Sequence, residues 1–264
     1  LSVIRDYESY VEKYNIVWDY LKKSSRPHSE VVSEVCEYRK YFGGEKSWGD
    51  FLKNKMVCVT ESCCDFSLMR KDEFKELALF TETGRFLLEG RYIVPVTDML
   101  GNVVALIGWY PDDKRYITTP SKYFSKECMY FGMEQLGKRG LNKPFFIVEG
   151  IFDSLNIRRL GFNAMANMGV SSSRVKKKMY GLFSKLIFIS DNDETGRKVL
   201  KEDRWSTPST STFFSWSGTF DFGDGVEAGI KDVDLLCSLF EEDDLKNILQ
   251  ECVDSKDSLI TLKL

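Results

Sequence analysis

Histidine is nearly missing from this sequence, and its scarcity excludes more chemistry than any other shortage. Of 264 residues one is histidine, His28, set beside Pro27 in a Ser/Arg/Pro break. A lone imidazole in a loop reads as a surface residue and leaves no His-based acid/base pair or triad. Cysteine occurs seven times, an odd count at irregular spacing, and Cys58, Cys63 and Cys64 cluster without forming a Cys-x-x-Cys pair. That pattern predicts reduced thiols and a cytoplasmic setting. It supplies no zinc ribbon, which needs four ligands at set spacings. No apolar run approaches the ~20 residues of a membrane span, so no membrane partner is expected. The opening residues carry an acid early and do not read as a signal peptide. Positive charge is not in excess either: 37 Lys and Arg stand against 40 Asp and Glu, for a net charge of −3. A bulk polyanion binder is thereby excluded, and any polyanion contact must come from local basic patches.

What is present has a clear centre, residues 143–198. Phe145-Phe146-Ile147-Val148 is an apolar run that ends on Glu149-Gly150. A helical stretch follows, Ile151 to Leu160, with Asp153 in its first turn. A second run, Leu186-Ile187-Phe188-Ile189, ends on Asp191-Asn192-Asp193, and Glu194-Thr195-Gly196-Arg197-Lys198 opens another helix. Short, continuously apolar runs are the mark of parallel strands buried on both faces. In such a sheet the carboxyl ends of the strands share one edge, where ligands bind. Glu149, Asp191 and Asp193 are therefore expected to meet there. Three carboxylates repel unless a cation sits among them, and hard oxygen donors suit Mg²⁺ or Mn²⁺. Two such ions can clamp the attacking and leaving oxygens of a phosphoryl displacement.

The remainder reads as a mixed lobe followed by this α/β unit. Val3, Tyr7, Tyr10, Tyr14, Val17 and Leu21 recur at helical steps over Ser2 to Lys23, and we read the stripe as core rather than as a base-stacking face. Ser29 can cap a second helix and Ser47 a short third one. A strand over Met56 to Thr60 and a short helix over Asp72 to Leu79 follow. Arg91 to Val96 and Val103 to Tyr110 flank a Gly-Asn turn, a hairpin pattern. Lys114 to Lys126 is basic, aromatic and hydroxyl-rich with no acid, a composition that can hold phosphates and stack bases. Arg174, Lys176, Lys177 and Lys178 read as a solvated helix face. Trp205 to Ser211 and Gly218 to Gly229 read as loops, and a helix from Val233 towards Cys252 with a short tail ends the chain.

The segments Val148 to Asp153, Asn167 to Ser171 and Asp191 to Arg197 together resemble the TOPRIM domain of DnaG-type primases, topoisomerases and related nucleases. The resemblance widens to the catalytic core of DnaG-type and phage primases through Arg91-Tyr92-Ile93-Val94-Pro95-Val96, Gly101 to Val104, Arg115-Tyr116-Ile117-Thr118, Phe124-Ser125-Lys126 and Phe131-Gly132. It implies an α/β fold: an α+β lobe over 1–142, then a mostly parallel, Rossmann-like TOPRIM domain over 143–264 with a short helical tail. It implies a DNA primase catalytic subunit that joins ribonucleoside triphosphates into short RNA primers on single-stranded DNA. Glu149, Asp191 and Asp193 would be catalytic and would hold two or more Mg²⁺ or Mn²⁺ ions, with no zinc. Ile230-Lys231-Asp232-Val233-Asp234 resembles the Lys-Asp-Pro-Asp element of these enzymes. Asp232 is therefore the candidate for the second metal, with Asp234 and Asp153 behind the ligands. Arg91, Arg115, Lys122 and Lys126 would hold template or triphosphate. The family usually has Arg where this chain has Trp109, a departure for which Lys114 or Lys122 could compensate. A replicative helicase and a separate zinc-binding subunit are the partners implied. The rival readings are a TOPRIM-type metal-dependent nuclease and an inactive nucleic-acid-binding subunit.

Overall fold

The apolar stripe of Ser2–Lys23 (α1) does become core: Tyr10, Tyr14, Val17 and Leu21 are fully buried, and the Tyr14 hydroxyl donates to Thr119 Oγ1 at 3.0 Å. These coordinates are a computed structural model that describes residues 2–40, 45–111, 115–168, 173–198, 211–217, 220–221 and 227–263. Two units are separable in it, Leu1–Ser125 and Lys126–Leu264.

In the first unit α1, α2 (His28–Arg39) and α3 (Glu45–Leu52) accompany a four-stranded antiparallel sheet. Its strands are β1 (Val57–Cys58), β2 (Tyr92–Thr97), β3 (Val103–Trp109) and β4 (Tyr116–Thr118), in that order. The β2–β3 hairpin forms as its sequence predicts. Asp98 accepts N–H bonds from Leu100 and Asn102 at 2.8 and 2.9 Å, and Gly101 takes the positive φ of +87° that closes the turn. Several boundaries differ from the sequence reading: of the strand read over Met56 to Thr60 only Val57–Cys58 pairs, and β2 and β3 end within a residue of the expected limits. α2 starts at His28, because Pro27 has no N–H to offer the helix and sits at its N-cap, so Ser29 is already inside. α3 starts at Glu45, ahead of Ser47. The stretch from Asp72 is a 3₁₀ helix that stops at Leu77, where Ala78 turns left-handed at φ 48°. His28 does not lie free on the surface. Its Nε2 is 2.9 Å from the carbonyl of Gly49, against α3.

The second unit is a five-stranded parallel sheet in the order β11-β8-β7-β5-β6. In chain order it contains α4 (Glu134–Arg139), β5 (Phe145–Val148), α5 (Ile151–Arg159), β6 (Ala164–Ala166), α6 (Arg174–Met179) and β7 (Leu186–Ile189). A helix over 194–198, α7, follows β7. Next come β8 (Thr212–Ser217), the antiparallel pair β9 (Phe220–Asp221) and β10 (Glu227–Ala228), α8 (Val233–Leu239), α9 (Glu242–Asp254) and β11 (Leu259–Lys263). β5 and β7 are buried along their whole length, as their apolar runs demand, and pair with each other at the centre. Phe188 stacks on Phe213 of the neighbouring strand with centroids 5.0 Å apart.

Three features of this unit depart from the sequence reading. The C-terminal tail is a strand: β11 pairs in parallel with β8 along Leu259 to Lys263. The expected single helix beyond Val233 breaks at Phe240, which ends α8 in extended backbone, and α9 begins with Glu242, Asp243 and Asp244 where the helix dipole favours acids. The unit also begins earlier than the 142/143 division read from the sequence. The peptide of Phe131 exchanges two backbone bonds with Ala166, each 3.0 Å, and Gln135 Nε2 donates to the carbonyls of Gly132 and Ala164. Phe131 thereby bridges to the β6 edge of this sheet, and Gln135 fastens the start of α4 to it.

Candidate active site

Parallel pairing places the ends of β5 and β7 side by side, Val148 opposite Ile189. The next residues are therefore neighbours: the backbone N–H of Asp191 donates to Glu149 Oε1 at 3.1 Å. Asp193 accepts the N–H of Gly196 at 2.7 Å, which closes the first turn of α7. Gly196 is there for a steric reason. A Cβ at this position would collide with the backbone of Asp191, so only glycine lets α7 start this close to the end of β7.

Asn192 lies inside the Asp-x-Asp segment but had no role in the sequence reading. Its N–H donates to the Lys231 carbonyl at 2.6 Å and its Nδ2 to that of Ile230 at 3.0 Å. These two bonds fasten residues 230–232 beside β7 and bring Asp232 to the edge. Asp232 caps α8 through Leu235 N–H at 2.7 Å, so capping and membership of the cluster coincide. Asp153 is buried and joins two helix starts, accepting the N–H of Gly150 at 3.1 Å and of Asp234 at 2.8 Å. The Asp234 carboxylate accepts from Asn156 Nδ2 at 2.9 Å, which ties it to α5.

The electrostatics are those of a crowded acidic edge. Burial, then the charges of Glu149, Asp232 and Asp193, push Asp191 up to about 7, with Lys231 pulling the other way. Burial raises Glu149 as well, and Asp193 adds to it. Asp153 is driven well above the usual carboxylate range by burial and then by Asp232, Asp234 and Asp191. Only hard oxygen donors are gathered here, short of positive charge, with Glu149, Asp191 and Asp232 half-buried and Asp193 exposed, which fits a divalent cation such as Mg²⁺ or Mn²⁺. The oxygens do not yet form a cage: among the described residues no three His, Cys, Asp or Glu side chains converge on one ion position. Part of the reason is local, since Glu149, Asp193 and Asp232 each give an oxygen to a backbone N–H.

The basic candidates fall in both units. Arg91, Arg115 and Lys122 belong to the first; Lys126, half-buried, begins the second. Arg91 sits 5.7 Å from the ring centre of Tyr110, and Arg115 is exposed beside β4. Lys122 is paired with Glu76 at 3.6 Å and packs over the Tyr123 and Tyr10 rings. Lys114 lies outside the described residues, as do Ser171 and most of the two loops read between 205 and 229. A residue that sequence reasoning overlooked stands at Trp109 instead. The Arg39 guanidinium, from the end of α2, lies 4.3 Å from the Trp109 ring centre and donates to the Tyr116 hydroxyl at 3.3 Å. Tyr38 meets the same indole edge-on. The expected solvated face of α6 also needs correction. Arg174 and Lys178 are exposed, but Lys176 is fully buried, because a helix of six residues lying against the sheet must turn one side inward.

With this geometry in place, comparison with known proteins places the second unit first. A family described as Toprim-like matches residues 146–211, the stretch that holds β5, β7 and their terminal acids. The chain as a whole has the fold of a DnaG-type primase catalytic core. A structure of the DnaG primase catalytic domain bound to ssDNA aligns over 94% of this chain and 80% of its own, at 15% identity and a TM-score of 0.68. The Escherichia coli primase catalytic core aligns over 92% and 79%, at 16% identity and a TM-score of 0.65. A structure of the Aquifex aeolicus primase, comprising its zinc-binding and RNA polymerase domains, aligns over 92% of this chain at 20% identity and a TM-score of 0.66; this chain spans 61% of that solved chain. No curated protein sequence matches. Among the described residues no helix is long and apolar enough to cross a membrane.

Proposed function

We propose that this chain is the catalytic part of a DNA primase, joining ribonucleotides on a single-stranded DNA template. The observation that carries the reading is the contact between Glu149, at the end of β5, and the Asp191 peptide, at the end of β7. It gathers the acids of two central strands at one edge, in a fold shared with primase cores. A bound pair of Mg²⁺ or Mn²⁺ ions would supply charge to activate a 3′-hydroxyl and to neutralise the triphosphate it attacks. The chain's own residues do the rest. Glu149, Asp191 and Asp193 present oxygens to the ions, and Asp232 extends the set. Asp153 holds the starts of α5 and α8 together, and Asn192 ties residues 230–232 to the end of β7. Lys126, Arg91 and Arg115 are the cations we assign to template and triphosphate.

Arg39 and Trp109 join that assignment. The indole is buried and serves as the platform that holds the guanidinium, which offers a charge for phosphate, so the cation missing from β3 is supplied in space by α2. Arg39→Ala is expected to weaken binding of a fluorescent single-stranded oligonucleotide about fivefold, the loss of one ~1 kcal/mol contact. Anisotropy at two salt concentrations checks this. Unchanged affinity would remove Arg39 from the template path.

The reading as a whole is tested by incubating the protein with unprimed single-stranded DNA, labelled ribonucleoside triphosphates and Mg²⁺ or Mn²⁺. Short labelled oligomers are expected. Metal-dependent cutting of the template without oligomers would assign the same acids to a nuclease instead. A separate zinc-binding subunit and a replicative helicase are the partners to add in a second series, for template choice and for placement at an open duplex.

A further inference from the structure

Lys176 is a fully buried lysine that the proposed chemistry does not use. Its ammonium donates to the backbone carbonyl and to the side-chain Oδ1 of Asn167, both at 3.2 Å, and lies 4.5 Å from the Tyr130 ring centre. Among the described residues no carboxylate pairs with it, and burial pushes its pKa down to about 8. Burying an ammonium without an anion is unfavourable. What it holds is therefore informative. Asn167 N–H donates to the Val148 carbonyl at 2.8 Å and Met168 N–H to the Glu149 carbonyl at 2.9 Å. The segment 167–168 thus clasps the end of β5 from the β6 side. Met168 adopts φ +62° to do so, a left-handed conformation that a methionine does not take without support.

We propose that Lys176 is a positioning residue for the acidic edge: from α6 it fixes the Asn167–Met168 turn, which in turn sets the backbone of Glu149 for a divalent cation. The lysine touches neither the ion nor the substrate. Its effect passes through two peptide groups to one ligand, and it rests on the metal site of the proposed function.

The test is Mn²⁺ binding by the full chain without nucleotide or DNA, read from the electron paramagnetic resonance of the free ion, with melting temperature recorded alongside. Lys176→Met keeps the volume and removes the charge and donors. It is expected to melt within a few degrees of the parent yet bind Mn²⁺ about tenfold more weakly, as when an outer partner of a metal ligand is lost. Lys176→Gln, which keeps a shorter N–H donor, falls between the two. Lys178→Met, an exposed control, binds as the parent does. Parental Mn²⁺ affinity in Lys176→Met, or an equal loss in Lys178→Met, overturns the inference while leaving the metal site intact. If the parent chain itself binds no Mn²⁺, the proposed metal site fails and this role fails with it. Should Lys176→Met not fold, Lys176→Gln decides by the same two readings.

Discussion

Asn at both 191 and 193 is expected to lower primer synthesis about a thousandfold and, at the same time, to raise the melting temperature of the metal-free protein at pH 8. The first effect follows from removing two carboxylates that we propose as metal ligands, whose bound ions would provide several kcal/mol of transition-state charge stabilisation. The second follows from the crowding at the edge. The Asp191 pKa is raised by burial and by Glu149, so the folded state binds a proton more tightly than the unfolded chain. For a carboxyl with a raised folded pKa the sign is the reverse of the usual acid case. Stability falls as pH climbs from about 4 towards 7, and the loss is complete above that. Glu149 and Asp153 shift in the same direction and add to the trend. In EDTA the parent should therefore melt lower at pH 8 than at pH 5, and Asp191→Asn, Asp193→Asn should flatten that difference. Scanning calorimetry at the two pH values checks it. A double variant less stable than the parent at pH 8 would mean that these acids serve the fold rather than a cation.

Gly196→Ala should cost less activity than the double variant and move stability the other way. The added methyl collides with the Asp191 backbone, which cannot give way as a flexible side chain could. Either α7 shifts or the Asp191-Asn192-Asp193 turn does. Overpacking of this kind destabilises by roughly 1–3 kcal/mol. Displacing a catalytic group by about 1 Å can cost a hundredfold in rate. We expect a lower denaturant midpoint together with a loss of synthesis of about a hundredfold. Parental activity in this variant would show that the close start of α7 does not set the acids. The two variants thus separate ligand from scaffold: the first loses activity and gains stability, and the second loses both.

The centre of this protein was legible from its residues because each signal was local. β5 and β7 announce themselves as four-residue apolar runs, and the acids that follow are fixed by chain continuity. The Gly-Asn hairpin and the core stripe of α1 are legible for the same reason. What was not legible depends on packing between distant segments. Nothing in Leu259 to Lys263 says that it joins β8 rather than trailing as a tail, since an edge strand in a parallel sheet needs a partner chosen by the whole fold. Lys176 stands in a run of cations, and the run hid the one that turns inward. Arg39 lies 70 residues before Trp109, so their contact has no signature in either neighbourhood. Asn192 was visible as part of Asp-x-Asp, but its role required knowing that residues 230–231 return beside β7.

The most direct measurement is the fate of a γ-phosphate label. With γ-labelled ATP or GTP, unprimed single-stranded DNA and Mg²⁺ or Mn²⁺, a protein that starts chains retains the label at the 5′ end of short oligomers. An enzyme that only extends existing ends releases it as pyrophosphate. γ-Labelled oligomers are expected in the parent and none with Asp191→Asn, Asp193→Asn. Label found only in pyrophosphate or free phosphate, or oligomers that persist in the double variant, would contradict the primase reading.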